Sequence, residues 1–427
     1  MAGAFFDGLR HSNRLAMIQA LSATTTRQQA SQERWDAVIV GAGIAGSLAA
    51  LGLARLGRKV LLIERTTFPR HKVCGACLNS DAIAGLRSAG VWDSIEALGG
   101  HWLSQYNIRS GLNRANLELP GGHAVSRFAM DHVLAESAIA AGAQFLSDTA
   151  VTIGSDPPDS PTRSLHDNDG HRYHASVLIA ANGLASKPAS GDPDDRLVVP
   201  ADSRIGLGAH WTQSDDPRGP MHLSSGVIYM AIAETGYVGL VVTENQVINL
   251  AAAVDRSAVQ SSGPAEVCHQ ILLSCGWDLT QQLQTTPFRG TPTLTRRRKI
   301  AGGHRMFYVG DSSGYVEPFT GEGMAWAIRA GLAVVPRVDA AIDRWTPELP
   351  QQWTDDLKQT LGKQQWRCRM ISRLLRHPVL VRHTVGALSR FPRFGRFAVQ
   401  QIHRDRRQVL QELHSEARQS GASGDAA

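Results

Sequence analysis

Three glycines at the spacing G-x-G-x-x-G, Gly41, Gly43 and Gly46, are the first residues of this 427-residue chain whose pattern dictates chemistry. They follow the apolar run Ala37 to Val40 and open an Ala- and Leu-rich stretch reaching Leu56, with Gly57 as its stop. Gly41 permits a tight turn, Gly43 lets the backbone approach a pyrophosphate, and Gly46 lets helix and strand pack closely. The amino end of the helix, with Ile44 and Ala45 in its first turn, offers free N–H groups and partial positive charge to a diphosphate. After a second apolar run from Lys59, Glu64 can accept hydrogen bonds from ribose hydroxyls, with Arg65 beside it. NAD and FAD sites share this fingerprint, so the glycine turn alone does not choose between them.

A second constellation far downstream makes the choice. Gly310-Asp311 ends the apolar run Met306 to Val309, and Glu317 to Met324, with Gly321 and Gly323 inside it, precedes the helix-like stretch Ala325 to Ala333. A carboxylate at a strand end and a Gly-rich loop entering a helix can hold a polyol chain and present N–H groups to an anionic ring edge. NAD has no ribityl chain, so the expected cofactor is FAD.

With these residues in place the chain resembles the FAD-dependent oxidoreductases of the para-hydroxybenzoate hydroxylase fold, in particular the geranylgeranyl reductase-like branch, over most of Asp36 to about Val335. The resemblance implies that Gly310 and Asp311 hold the ribityl and phosphate region and that Pro318 to Met324 borders the isoalloxazine. Arg127, with Asp131 four residues on, matches an arginine that contacts FAD, and Asp131 is expected to orient its neighbours. The cofactor set is then Gly41, Gly43, Ala45, Gly46, Glu64, Arg65, Gly75, Arg127, Gly310, Asp311, Gly321, Gly323 and Met324. The segment Phe68 to Leu78 resembles the stretch in which a lysine precedes Cys-Gly near the flavin, which makes Cys74 the candidate catalytic residue. Cys74 and Cys77 form a CxxC that reads as a redox dithiol, two metal ligands or a small buried side chain. No metal site is expected.

Two departures bear on the reaction. Asn182-Gly183 stands where many relatives carry Asp-Gly, which removes a charge linked to nicotinamide docking, so NAD(P)H as electron donor is an open expectation. Tyr237 to Val242 stands where prenyl reductases usually show an aromatic-x-Trp-x-Phe-Pro pattern. The Trp-x-Trp-x-Ile-Pro element of flavin-dependent halogenases is missing around all nine tryptophans, so halogenation is a minor option. The expected activity is a geranylgeranyl reductase-like reduction of C=C bonds in a hydrophobic substrate through reduced flavin. The alternatives are flavin-dependent hydroxylation of an aromatic or polyketide-like molecule and a flavin-holding electron carrier.

The elements that must position these residues define an α/β protein. Its expected parts are a Rossmann-like FAD-binding domain of the glutathione reductase/PHBH type, an inserted antiparallel β-sheet substrate domain and a helical C-terminal region. Residues 1–34 form an extension expected to be flexible, 35–195 and 288–336 the discontinuous cofactor domain, 196–287 the sheet, and 337–427 a basic helical region. Helix breaks are expected at Pro336, Pro347, Pro350, Pro378 and Pro392.

Hydrophobic residues make up 43% of the chain and charged ones 19%, which excludes disorder of the whole. Five cysteines in a long chain without a secretory pattern argue against a disulfide scaffold and for a reducing, cytoplasmic location. The net charge of +6 is concentrated from Lys363 to Arg407, where Asp405 is the one acid. That distribution does not suit a uniformly basic nucleic-acid binder. It admits peripheral membrane contact, with Ile371, Leu374, Leu375, Val379, Leu380, Phe391, Phe394 and Phe397 as apolar anchors. The expected partners are a hydrophobic or aromatic small molecule and no nucleic acid, the expected state a monomer or weak homo-oligomer.

Overall fold

The computed structural model describes residues 19–186, 196–213, 222–317 and 319–391. Pro318, Pro392, Phe394 and Phe397 lie outside the described residues.

The strand Arg34–Val40 has four buried residues in succession at its end and needs cover on both faces, which places it centrally in a parallel sheet. Val60–Ile63 pairs with it on one side and Arg172–Ala180 on the other, all parallel. Gln144–Leu146 and Met306–Tyr308 extend the sheet outward, also in parallel. The first and last strands of the cofactor motifs thus share one sheet, separated only by Arg172–Ala180.

This order aligns three strand ends. Gly41 N donates to Ile63 O at 2.7 Å, Ala181 N to Val40 O at 2.8 Å, and Val309 N to Ala180 O at 3.1 Å. The glycine turn, Asn182-Gly183 and Gly310-Asp311 therefore leave the sheet side by side at its carboxyl edge, where open α/β sheets bind ligands.

The helices Ile44–Arg55 and Gly323–Asp343 cross in close contact. A Cβ on Gly331 would lie 2.6 Å from the Ala45 carbonyl oxygen, and one on Gly310 would lie 3.1 Å from Ala45 Cβ. Small residues at this crossing press the glycine turn and the downstream loop together.

A second sheet of seven strands runs in the order Arg289–Thr293, Ile205–Thr212, Val247–Val254, Gly236–Val242, Val227–Ala233, Gln105–Ser110 and Asn113–Glu118. Every pair is antiparallel except Val227–Ala233 with Gln105–Ser110, which is parallel. The sheet thus takes two strands from within 35–195 and one from within 288–336, in addition to those of 196–287. The helix Pro264–Ser274 buries Val267, Cys268, Ile271 and Leu272 against one of its faces.

The region before the first strand has structure of its own. Thr26 caps the helix Arg27–Gln32 in a capping box with Gln29, and Trp35 Nε1 donates to Ala30 O at 2.9 Å. The expectation of a flexible extension does not hold for residues 19–34.

Of the expected breaks, those at Pro347, Pro350 and Pro378 fall at gaps between helices, Pro347 in the turn between Asp343 and Leu349, while Pro336 does not break its helix. Gly323–Asp343 continues through Pro336, while Pro350 and Pro378 occupy the first turns of Leu349–Leu374 and Pro378–Arg390. A first-turn proline gives up an N–H that has no intrahelical acceptor, so it starts a helix as readily as it ends one.

Candidate FAD and substrate cleft

Between the carboxyl edge of the parallel sheet and the seven-stranded sheet lies a cleft of about 1330 Å³, measured with the open solvent at its mouth. Gly43, Ala45, Gly75, Arg127, Gly310, Asp311, Gly321, Gly323 and Met324 all line it, as does Cys74. Gly41 and Gly46 shape it from behind. Gly41 has φ +105° and a Cβ there would sit 2.5 Å from Ala181 O, while a Cβ on Gly46 would overlap the Gly41 carbonyl oxygen. Neither position tolerates a side chain.

Gly43 is different, because no backbone crowds it. The atoms nearest to its missing Cβ are Lys72 Nζ at 3.4 Å, Arg127 Nη2 at 3.6 Å and Arg70 Nη2 at 3.8 Å. Gly43 is also the cap residue of Ile44–Arg55 and supplies no side-chain hydrogen bond, so the N–H groups of that first turn keep their capacity for an anion. Three cations and a helix amino terminus thus converge on one small volume. A diphosphate fits this volume by charge and by donor chemistry.

The cations are held by carboxylates beneath them. Arg70 donates to Glu64 and to Asp131, both at 2.9 Å, and Arg127 donates to Asp131 at 2.6 and 2.7 Å. Burial works against charge on Asp131, but Arg127 and Arg70 together hold its carboxyl below the ordinary range. For Arg127 burial is likewise outweighed by Asp131, and its cation is reinforced. Asp131 therefore orients both arginines. Arg70 Nε is buried with no partner among the described residues.

Lys72 makes no ion pair or hydrogen bond among the described residues. It reaches solvent through the open cleft, yet protein desolvation together with Arg70 and Arg127 lowers its pKa to about 8. Filling the cleft removes that water and leaves the surrounding charges to decide its state.

Glu64 has a part beyond the one expected of it. Its Oε2 accepts from Ala42 N at 3.1 Å and from Arg70, which fastens the glycine turn to the second strand. Oε1 accepts only a 3.3 Å bond from Thr66 Oγ1 among the described residues, and so retains capacity for a ribose hydroxyl. Arg65 is exposed and lines neither cleft.

At the other end, Gly183 N donates to Ser312 Oγ at 2.9 Å and Ser312 Oγ donates to Asn182 Oδ1 at 3.2 Å, tying the Asn-Gly turn to the Gly-Asp turn. Burial raises the pKa of Asp311, against the opposing pull of Lys72, Arg127 and Arg296. Glu317 pairs with Arg204 at 3.2 Å, and Glu322 is buried 3.7 Å from Cys368 Sγ. Neither glutamate lines the cleft.

Cys74 lines the cleft with its carbonyl fixed by Asn249 Nδ2 at 2.9 Å. Burial, and then Cys74 itself, pushes the Cys77 thiol far above its usual range, and its Sγ donates to Gly75 O at 3.1 Å. A dithiol relay needs a thiolate, so this environment favours the small buried side chain.

Arg70 and Lys72 join the expected residues beside Gly43, though neither is in the expected set. The basic run Arg70-His71-Lys72, one residue before Cys74-Gly75, is the sequence signal that marks them. On the far side of this segment a second cleft carries His71 stacked between Phe128 at 4.7 Å and His210 at 3.9 Å.

A glycine turn facing a distant Gly-Asp turn across one groove, beneath a separate sheet, is the arrangement of a flavoprotein fold with an FAD-binding sheet. The chain belongs to the FAD binding domain family, which matches residues 34–338. It is an FAD-dependent oxidoreductase, and the residues around Gly43 and Asp311 are those that would hold the cofactor. Menaquinone reductase of Mycobacterium tuberculosis strain H37Rv is 27% identical over 364 residues, covering 80% of this chain and 84% of the relative. Rat squalene monooxygenase is 27% identical over 184 residues, covering 39% of this chain and 31% of the relative. Among solved structures, the flavin-dependent brominase Bmp2 superposes with a TM-score of 0.67 at 16% identity over 88% of this chain and all of that one, a likeness of fold alone.

Proposed function

We propose that this protein reduces carbon–carbon double bonds of a hydrophobic substrate, as a geranylgeranyl reductase-like enzyme. One observation carries the reading: the charged residues lining the cleft, Lys72, Arg127 and Asp311, all lie at its glycine-turn and Gly-Asp end, and the sheet contributes none. Ile228 and Met230, then Tyr237, Gly239 and Val241, then Ala251 and Ala253 line the cleft at two-residue spacing on three strands; Leu240 and Ala252 between them also border it, but their side chains pack in the core on the helix side of the sheet. Leu184, Leu294 and Phe319 add further apolar surface. Burying a charged substrate against such a wall would cost several kcal/mol, whereas an apolar chain gains about 25 cal/mol for each Å² it removes from water.

When bound, reduced FAD supplies a hydride. The chain's own residues supply the rest. The wall excludes water, and the small residues Gly239, Ala251 and Ala253 leave room for a chain to lie along the sheet. Tyr106, Tyr237 and Tyr315 line the same cleft, and burial holds all three phenols protonated above their ordinary range. Tyr106 donates to Phe319 O at 3.4 Å, and a phenol held protonated there can supply the proton that a carbon centre needs after accepting hydride. The long match to menaquinone reductases supports a lipophilic substrate.

The test is one anaerobic turnover. Protein loaded with FAD and reduced by dithionite, then mixed with a geranylgeranyl-bearing lipid, is expected to reoxidise and yield a product gaining two hydrogens. Reoxidation that requires oxygen, with a product gaining one oxygen atom, would overturn the reductase in favour of a monooxygenase. Running the same turnover with NADH or NADPH in place of dithionite identifies the donor.

A further inference from the structure

The C-terminal helices carry a surface that neither the cofactor nor the substrate uses. Helix Leu349–Leu374 and the turn after it bury Leu361, Cys368 and Leu375, every seventh residue, and Cys368 faces Thr320 and Glu322 of the flavin loop. The opposite side presents Lys363, Trp366, Met370 and Arg373 to solvent, at the three- and four-residue spacing of a single helical face. Trp366 is 59% exposed and Met370 44%. The next helix, Pro378–Arg390, buries Val381 and Val385 against the seven-stranded sheet. It leaves Val379 60%, Leu380 49% and, just beyond its end, Phe391 60% exposed, with Arg382 and Arg390 exposed among them. Asn113 Nδ2 donates to Arg382 O at 2.9 Å, which sets the exposed Leu112 beside this helix.

From Leu357 to Phe391 the chain has no aspartate or glutamate. Large apolar side chains alternating with cations, on a stretch that carries no acid of its own and beside a turn where Asp202 and Asp255 pair with Arg376, match the headgroup boundary of an anionic bilayer: the apolar groups enter the acyl edge and the cations meet phosphates. No helix among the described residues is long and apolar enough to cross a membrane.

We infer that the face formed by Lys363, Trp366, Met370 and Arg373, continued by Leu380 and Arg382, docks the enzyme on an anionic lipid surface. This inference is independent of the reaction catalysed. The test is co-flotation of the full-length, FAD-loaded protein with phosphatidylcholine vesicles, with and without phosphatidylglycerol. Binding is expected only with phosphatidylglycerol, and it should fall as salt rises from about 0.1 M to about 0.5 M. Lys363→Glu/Arg373→Glu/Arg382→Glu should weaken it by more than about a hundredfold, at about fivefold for each cation removed and more for reversal. Trp366→Ser/Met370→Ser should weaken it about tenfold or more through lost apolar burial. Both variants should keep the flavin spectrum and content of the parent, which separates lost docking from lost folding. Absence of binding to anionic vesicles, or binding unchanged in both variants, would overturn the inference. So would a concentration-dependent dimer in solution that Trp366→Ser abolishes, because a second copy would then be the occupant.

Discussion

Lys72 is the residue on which the cofactor end turns. Its ammonium stands 3.4 Å from the missing Cβ of Gly43 with no ion pair among the described residues, whereas Arg70 and Arg127 are already shared with Glu64 and Asp131. Lys72→Met is expected to weaken FAD binding by about tenfold or more, the worth of one charged hydrogen bond of roughly 1.5–3 kcal/mol, as read by fluorescence titration. The sign of the pH dependence follows. In the empty cleft Lys72 loses its proton near pH 8, and a bound diphosphate favours the protonated form. FAD affinity should therefore fall as pH rises through about 8 and level off above the raised pKa of the complex, a step that Lys72→Met should lack. Asp131 carries the opposite duty. Removing it as Asp131→Ala leaves two half-buried guanidinium groups without their shared carboxylate, and denaturant unfolding should show a loss of about 3–5 kcal/mol.

The crossing of Ile44–Arg55 with Gly323–Asp343 decides whether the two ends of the cofactor site meet. Gly331→Val puts a branched side chain where even a Cβ would lie 2.6 Å from Ala45 O, so it should cost about 1–3 kcal/mol or more and reduce FAD content together with stability. Unchanged flavin content in that variant would show that the loop is positioned by something other than this contact. The glycine turn and the Gly-Asp turn were legible in the sequence because Gly41, Gly46 and Gly310 meet backbone or a positive φ where a side chain is strained or clashes, and that demand survives in the residue types. The cations of Arg70 and Lys72 were less legible, since their role depends on where the segment after the second strand folds. Pairing of Gln105–Ser110 with Val227–Ala233 joins residues more than a hundred positions apart, and no local pattern records it. Alternation within Tyr237 to Val242 could mark a strand, but the face turned to the cleft is set by register with its neighbours.

At the scale of the whole molecule, the protein separates charge from apolar surface along one groove. One end gathers Lys72, Arg127 and Arg70 at the carboxyl edge of the parallel sheet, where the diphosphate is proposed to sit, and the other, proposed to take the substrate, is walled by the second sheet. The central claim is that a single FAD is gripped at both ends, by Gly43 with its cations and by Gly310-Asp311 with the loop to Met324. Titration of the flavin-free protein with FAD, run in parallel on Lys72→Met and Asp311→Ala, tests it directly. One FAD per chain, with each substitution weakening binding and the pair together weakening it further, is the expected result. Failure to take up FAD, or an affinity indifferent to both substitutions, would contradict it.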